Sequence, residues 1–358
     1  MRKILYGGSF DPIHLGHLHM AELAHQQLDA DVIFVPAPIS VWKKESAPIE
    51  DKIKMIELSI KDKPYFSIDL FEVNSQKETN YSIDTASHFV KEYPNDVFYY
   101  LIGADQVNEF HRWKKADELA KIVQIVYFER PNYPVDSGNV EKYHMKKISG
   151  DVKDVSSSDI REFKSLEVTD DVLDYILNNH LYVVKKVDTF FDDHRGNHSI
   201  EVAKLAYKIA KKHNLEHPED ALIAGLLHDI GKTIPETKQI MVDFYPEYKD
   251  LPLFAYHQFV GEYIAKTKFG VKNEEILAAI KFHATGNEKM GTLAKIVYAA
   301  DKIEPTRKYD SSELIAAMMD KPIDEGFKIV LKANKEFLEM ANKCTENPLT
   351  SKCFEYYL

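Results

Sequence analysis

Short apolar runs alternate with longer amphipathic stretches through the first half of the chain. Ile4 to Tyr6, Val32 to Val35, Val97 to Ile102 and Ile122 to Phe128 are rich in β-branched and aromatic residues and read as strands. Helix-like segments separate them, and a glycine-containing turn follows the first run. This order predicts βαβ units around a parallel sheet, a Rossmann-like α/β domain. From about Phe190 the strand signal ends. Ser199 to Lys212, Glu219 to Ile230, Glu274 to Phe282 and Thr292 to Lys302 carry apolar residues at helical period, so an all-α domain is expected. The change falls in Val187 to Asp193, without Pro or Gly, so any linker is brief. The expected domains are 1–186 and 187–358.

Length agrees with that division, since 358 residues exceed the size, about 250–300, at which single cores stop growing. A content of 44% hydrophobic and 29% charged residues is that of an ordinary globular protein. The net charge of −11 repels a phosphate backbone, which argues against nucleic acid as partner and leaves small anions in local pockets. The two cysteines, Cys344 and Cys353, are too few for a disulfide framework and lack zinc-site spacing. The apolar start is shorter than a signal-peptide core and no run approaches membrane-spanning length, so a soluble cytoplasmic protein is expected.

The most informative early string is Gly7-Gly8-Ser9-Phe10-Asp11-Pro12-Ile13-His14-Leu15-Gly16-His17-Leu18. It leaves a strand and enters a helix, where backbone N–H groups and the positive end of the helix dipole suit a phosphate. His14 and His17 share the first helical turn, so two imidazoles can donate to a pentavalent phosphorus centre, and Gly16 leaves room for a nucleotide. A lone glycine-rich loop reads equally well as a solvated turn; the full string is more specific. It resembles the HxGH signature of the nucleotidyltransferase superfamily, and within it the bacterial nicotinate mononucleotide adenylyltransferases, which open GGxFDPxHxGH. Phe34-Val35-Pro36 followed by Lys43-Lys44 is similar to that family's VP…K segment, Tyr81-Ser82-Ile83-Asp84-Thr85 to its Y[ST]xDT, and Leu101-Ile102-Gly103-Ala104-Asp105 with Trp113 to its LIGAD…W. Val155-Ser156-Ser157-Ser158-Asp159-Ile160-Arg161 is similar to its ISSTxIR, with Ser158 where Thr is usual.

The resemblance implies adenylyl transfer from ATP to nicotinate mononucleotide, with magnesium bridging the leaving phosphates. It assigns ATP contacts to Gly8, Ser9, Phe10, His14, Gly16, His17, Gly103, Asp105, Ser157, Ser158 and Arg161, with His14, His17 and Arg161 catalytic. Lys44, Asp84, Thr85 and Trp113 would meet the nicotinate nucleotide, Trp113 by stacking on the pyridine ring. Ile39-Ser40-Val41-Trp42 replaces the family's proline- and histidine-containing run, which leaves open whether Lys43 or Lys44 is the equivalent lysine. A phosphate nucleophile is already ionised, so catalysis reduces to positioning and charge stabilisation.

In the helical half, His198, His228-Asp229, His257, His283 and Asp301 fall on successive segments, and ligands from separate helices can converge inside a bundle. One HD dipeptide is weak evidence; the ordered set is not. It resembles the HD superfamily, and in particular the hydrolases that split diadenosine tetraphosphate symmetrically into two ADP. Leu227-His228-Asp229-Ile230-Gly231-Lys232, Phe282-His283-Ala284-Thr285-Gly286 and Ala299-Ala300-Asp301-Lys302-Ile303-Glu304-Pro305-Thr306-Arg307 carry the likeness. By that resemblance His198, His228, Asp229 and Asp301 hold one metal, and Asp229 bridges to a second held by His257 and His283. Such a pair lowers the pKa of a bridging water and clamps attacking and leaving oxygens. Imidazole with carboxylate suits iron, manganese or zinc over calcium, and iron or manganese is expected. Asp229 and Lys232 are the catalytic candidates, with Lys232 and Arg307 placed to neutralise a polyphosphate; His194, His213 and His217 read as surface residues.

Two rivals remain. The first half could adenylylate another phosphate such as phosphopantetheine while the second is a general nucleotide phosphatase, or the HD half could be a non-hydrolytic nucleotide sensor regulating its neighbour.

Overall fold

Strands β1 (Arg2–Gly8), β2 (Asp31–Pro36), β3 (Phe66–Ile68), β4 (Val97–Gly103), β5 (Gln124–Phe128) and β6 (Lys146–Lys147) form a parallel sheet in the order β3-β2-β1-β4-β5-β6. β1 and β2 bury both faces, with Ile4, Leu5, Val32 and Phe34 all inaccessible, as a sheet covered by helices on each side requires. On one face Leu5, Ile33, Val35 and Ile125 pack with Ile83, Phe89 and Leu119 from the flanking helices Ser82–Glu92 and Ala116–Ile122. Chain order reverses between β1 and β4, which makes a crevice at their carboxyl ends. Gly7-Gly8 ends β1 and Gly103 ends β4, so the sheet brings the two glycine motifs side by side.

The computed structural model describes the chain apart from residues 39–45, 76, 78, 130–132, 152, 154, 192, 308 and 341–346, and apart from the side chains of residues 193 and 194. The chain divides into two compact units, Met1–Tyr182 and Val183–Leu358. The four expected strands are present. Ile122, expected to open a strand, instead ends a helix, and β5 starts at Gln124. β3 and β6 have three and two residues, too short to show an alternating pattern.

Among its described residues the second unit forms helices joined by turns and loops, with no strand. Its ligand-bearing elements are Asp193–Lys212, Glu219–Leu227, Tyr256–Lys268, Glu274–Phe282 and Thr292–Ile303, followed by Ser312–Asp320, Ile323–Met340 and Pro348–Tyr357. Thr292–Ile303 is the central helix. Ile296, Val297, Tyr298, Ala299 and Ala300 are all inaccessible, so Asp301 is carried into the interior with them. The expected helix Glu219 to Ile230 stops at Leu227, and Ile230–Thr233 continues as a 3-10 turn. Among the described residues no helix is long and apolar enough to cross a membrane.

Candidate active sites

In the first unit, helix Leu15–Leu28 begins with a reciprocal cap. His14 Nδ1 accepts from the His17 amide and His17 Nδ1 accepts from the His14 amide, both at 3.3 Å. The rings stack, with centroids 3.6 Å apart. An Nδ1 that accepts is unprotonated, so each neutral ring carries its proton on Nε2. The cap thus fixes the tautomer in which both imidazoles donate from Nε2. Gly16 leaves little space beside them, since a Cβ there would stand 3.0 Å from His14 Nδ1.

The Val155 to Arg161 string meets this loop. Ser157 Oγ donates to the Pro12 carbonyl at 3.1 Å, and Arg161 donates from one nitrogen to the Asp11 carbonyl at 2.6 Å and from another to Ser158 Oγ at 2.9 Å. Gly8 and Ser9 are half-buried, while Phe10 has 1% of its surface exposed and packs against Tyr6, His17 and Phe34. The Phe10 ring is therefore spent on packing beneath the loop. Asp105 is exposed just beyond Gly103, at the carboxyl end of β4.

The residues expected at the pyridine ring are less uniform. Lys43 and Lys44 lie outside the described residues. Asp84 is half-buried, 3.7 Å from Lys77 Nζ. Thr85 is inaccessible and its hydroxyl donates to Glu72 Oε1 at 2.7 Å, so its side chain is already committed. Burial raises the Glu72 pKa against the lowering effect of that hydrogen bond. Trp113 is half-buried, edge-on to Tyr100 and tilted against Phe110. Tyr100 also bonds to Ser82, at the start of the helix bearing Asp84 and Thr85, and burial pushes its phenol up.

The second unit gathers all six expected ligands, which form three overlapping groups able to hold a metal: His198, His228 and Asp229; His228, His283 and Asp301; and Asp229, His257 and His283. Local structure explains three of the histidines. His228 and His283 each follow the last residue of a helix, where carbonyls lack helical partners. His228 Nδ1 donates to the Gly225 carbonyl at 2.6 Å, His283 Nδ1 to Ile280 at 2.7 Å, and His257 Nδ1 to Phe254 at 2.6 Å. Since a carbonyl only accepts, each neutral ring turns an Nε2 lone pair inward. His198 lies within a helix and uses a carboxylate instead, its Nδ1 3.1 Å from Glu304 Oε1.

Asp229 stands between two sets of lone pairs. Its Oδ1 is 3.2 Å from His283 Nε2 and 3.4 Å from His257 Nε2; its Oδ2 is 3.5 Å from His228 Nε2 and 4.0 Å from His198 Nε2. His228 Nε2 is buried with no hydrogen-bond partner, and the Nε2 atoms of His257 and His283 face each other at 3.1 Å. Such facing acceptors fit a cation and little else. Burial, with His228 and His257 nearby, lowers the His283 pKa to about 3 against the pull of Asp229, so this ring is a neutral donor set. Burial alone would raise both aspartates. Against that burial both lie well below the carboxylate range: Asp229 is lowered by His228, His257 and His283 to the extent that these rings carry a proton on Nε2, and Asp301 by Lys302, His198 and His228. Against its own burial, hydrogen bonds to Asp301 and Glu304 lift His198 to about 9. His198 Nε2 and Asp301 Oδ1 are 3.1 Å apart.

Cations surround the cluster. Lys232 Nζ is 2.5 Å from Asp229 Oδ2, Lys302 Nζ 2.7 Å from Asp301 Oδ2, and an Arg307 nitrogen 2.8 Å from Asp301 Oδ1.

Residues 5–163 match the cytidylyltransferase-like family and residues 195–306 match the HD domain. A Mycoplasma genitalium protein named "Probable nicotinate-nucleotide adenylyltransferase/Ap4A hydrolase" is 33% identical over 317 residues, covering 86% of this chain and 88% of that protein. The chain belongs to this adenylyltransferase/Ap4A hydrolase family. Its Mycoplasma pneumoniae member, of the same name, is 30% identical over 86% of this chain and 90% of its own length. A Clostridium acetobutylicum structure titled as a predicted HD superfamily hydrolase involved in NAD metabolism is 28% identical over 52% of this chain and 96% of its own, with a TM-score of 0.42.

In this family member several working residues escape sequence reading. Gln258 is inaccessible, donates to Thr285 Oγ1 at 3.0 Å and accepts from the Ala284 and Thr285 amides, so it ties the His257 segment to the His283 segment. Asp11 Oδ1 accepts from the Ala47 amide at 3.1 Å and from Tyr182 Oη at 2.9 Å, which anchors the phosphate loop from two distant points. Glu304 and Asp11 lie inside the strings quoted above, and adjacency to a motif was their one signal. His213 departs from the surface reading: it is half-buried, with Nε2 2.8 Å from the Met318 carbonyl, a contact 105 residues distant in sequence. His217 is exposed, and the His194 side chain lies outside the described set.

Proposed function

We propose that the chain carries two activities. The first unit transfers the adenylyl group of ATP to nicotinate mononucleotide, and the second hydrolyses diadenosine tetraphosphate to two ADP. The names of the family members support both substrates.

In the first reaction an oxygen of the mononucleotide phosphate attacks the α-phosphorus of ATP and the bond to pyrophosphate breaks. Nε2–H of His14 and His17 donates to the α-phosphoryl oxygens as charge grows on them. Arg161 and Ser157, tied to Asp11 and Pro12, address the departing phosphates. Magnesium, brought by ATP, would supply further charge neutralisation on the phosphates. Asp105 is assigned to the nucleotide sugar and Trp113 with Asp84 to the pyridine moiety, while Thr85, buried and bonded to Glu72, supports the helix that carries Asp84.

The single observation behind the second reaction is the divided carboxylate of Asp229, one oxygen toward His257 and His283 and the other toward His228 and His198. That is the arrangement of a bridging ligand between two ions, His198, His228 and Asp301 completing one side. His198, His228, Asp229, His257, His283 and Asp301 would hold two divalent ions, iron or manganese by donor type, which would supply an activated water and charge neutralisation when bound. Lys232 keeps Asp229 oriented and presents a cation at its rim, 39% exposed.

One preparation of the full chain tests both halves. With ATP and magnesium, nicotinate mononucleotide should yield deamido-NAD and pyrophosphate in preference to nicotinamide mononucleotide or phosphopantetheine. With iron or manganese, diadenosine tetraphosphate should yield ADP alone. Preference for another acceptor overturns the first assignment; ATP plus AMP, or binding without cleavage, overturns the second.

A further inference from the structure

The two imidazoles on the Oδ1 side of Asp229 come from different helices. His257 is the second residue of Tyr256–Lys268, His283 follows the end of Glu274–Phe282, and their Nε2 atoms stand 3.1 Å apart. Each ring is tethered to its own segment, His257 to the Phe254 carbonyl and His283 to the Ile280 carbonyl. Those bonds orient each ring on its helix and leave the distance between the rings open. Gly261 packs against Ile280 one turn further on, which spaces the helices without setting their register at the ligand end. Gln258 supplies that register. Its side chain is inaccessible. Its Oε1 accepts from the Ala284 and Thr285 amides, both at 3.3 Å, and its Nε2 donates to Thr285 Oγ1 at 3.0 Å. The Thr285 hydroxyl donates in turn to the Gly286 carbonyl at 2.9 Å. This chain of donors admits one orientation of the amide, since a flipped Gln258 would set its NH₂ against two N–H groups. Lys302 Nζ, 3.4 Å from the His283 and Ala284 carbonyls, ties the same turn to Thr292–Ile303 and not to His257.

We propose that Gln258 is a positioning residue that sets the spacing of His257 and His283, and through it decides whether the cluster holds a second divalent ion. The proposal rests on the two-ion reading above and names the residue on which its second ion depends. At metal–nitrogen distances of about 2.0–2.1 Å, two adjacent nitrogens on one ion stand roughly 2.9–3.4 Å apart. The separation of 3.1 Å falls within that span, so the rings are already placed for a shared ion. On the other side of Asp229 the supports are independent of Gln258. His198 is oriented by Glu304, and Asp301 is held by Lys302 and Arg307. Loss of the Gln258 link therefore acts on one ion and spares the other. Residues that orient ligands from outside the coordination shell are worth about 10- to 100-fold in metal affinity.

The test loads the full chain with manganese and reads the ions bound per chain by equilibrium dialysis, together with the manganese EPR signal, which is exchange-coupled for a pair of ions and shows resolved hyperfine lines for an isolated one. Wild-type protein should bind two ions and give the coupled signal. Gln258→Leu should keep one ion at wild-type affinity, bind the other about 10- to 100-fold more weakly and show the isolated-ion signal. Thr285→Val, a milder change that spares both amide bonds, should move the same way to a smaller extent, and Thr285→Ser, which keeps the hydroxyl, should match wild type. Melting curves are recorded alongside. Where Gln258→Leu loses both ions by unfolding, Thr285→Val decides: weakening of one ion upholds the proposal and equal weakening of both overturns it. Two ions at wild-type affinity in Gln258→Leu, or a wild-type chain that binds a single ion, also overturns it. Failure of the hydrolase reading shows separately. Wild-type protein that binds two ions and leaves diadenosine tetraphosphate uncleaved counts against that reading, while selective loss of one ion in Gln258→Leu still upholds the role of Gln258.

Discussion

Glu304 Oε1 lies 3.1 Å from His198 Nδ1, on the side of the ring opposite Asp301. Glu304 is itself 1% exposed and is held by the Thr306 amide at 2.6 Å and the Thr306 hydroxyl at 2.8 Å. A buried carboxylate so fixed orients the ring, keeps the Nδ1 proton and makes Nε2 a stronger donor to a metal. Glu304→Ala should therefore weaken retention of one metal by about 10- to 100-fold, with Glu304→Gln intermediate because an amide oxygen still accepts. Metal content after graded chelator dialysis reads this directly. Equal retention in all three proteins would show that Glu304 does not position His198.

A steric constraint holds Asp229 next to His257. Gly231 sits in the 3-10 turn after the HD pair, and a Cβ there would stand 2.1 Å from the His257 carbonyl oxygen and 2.6 Å from the Gly261 amide. Both obstacles are backbone, so neither can swing aside. Gly231→Ala should destabilise the second unit by about 3 kcal/mol, the upper end for overpacking, and separate the two ligand segments. Calorimetry should show one transition shifted down, with adenylyl transfer intact and bound metal reduced. A melting profile and metal content like wild type would mean that the turn and helix Tyr256–Lys268 are more compliant than their contact implies.

How far such features could be read beforehand depends on their reach along the chain. His14, His17 and the six proposed metal ligands stand out in the sequence because the proposed chemistry calls for those side chains at those spacings. The four longer strands are legible for the same reason, each long enough to show its apolar run. β3 and β6 take their conformation from neighbours in the sheet, with Phe66 pairing with Val32 and Lys146 with Val126. Gln258, Tyr100 and Glu304 act through contacts across folded elements, and nothing in their local sequence distinguishes them from ordinary polar or aromatic positions. The tautomers of His14 and His17 were likewise beyond reach, since they follow from hydrogen bonds that exist only once the helix has formed.

Those tautomers separate two effects of mutation. Replacing His14 removes an N-cap, worth about 1 kcal/mol, and also a proposed phosphoryl donor. Replacing His17 removes the other donor along with its half of the reciprocal cap. Loss of one preorganised donor lowers kcat by about 10²- to 10³-fold, far more than the cap accounts for. His14→Asn should keep most of the capping stability, since asparagine is a good N-cap, while losing the same turnover as His14→Ala. Melting curves and pyrophosphate release on the three variants check this. Turnover that recovers along with stability in His14→Asn would reduce His14 to a cap.

Glu72 gives the first unit a pH dependence of predictable sign. Its carboxyl is 8% exposed and accepts from Thr85 Oγ1 at 2.7 Å. Burial raises its pKa above the usual 4.5, the hydrogen bond from Thr85 opposing. A folded-state pKa raised in this way means that the folded protein binds the proton more tightly than the unfolded chain. The stabilisation is complete below the ordinary carboxylate pKa and is lost as pH rises through the folded value. At neutral pH the charged group must then be buried or must hold its proton at a cost. Glu72→Gln keeps an acceptor for Thr85 and cannot ionise. The variant should melt a few degrees above wild type at pH 7.5, where about 1 kcal/mol corresponds to roughly 2–4 °C for a unit of this size, and should show no such gain near pH 4. A gain of equal size at both pH values would point to packing rather than ionisation, and a loss at pH 7.5 would mean that the Glu72 carboxylate is stabilised by a partner other than Thr85.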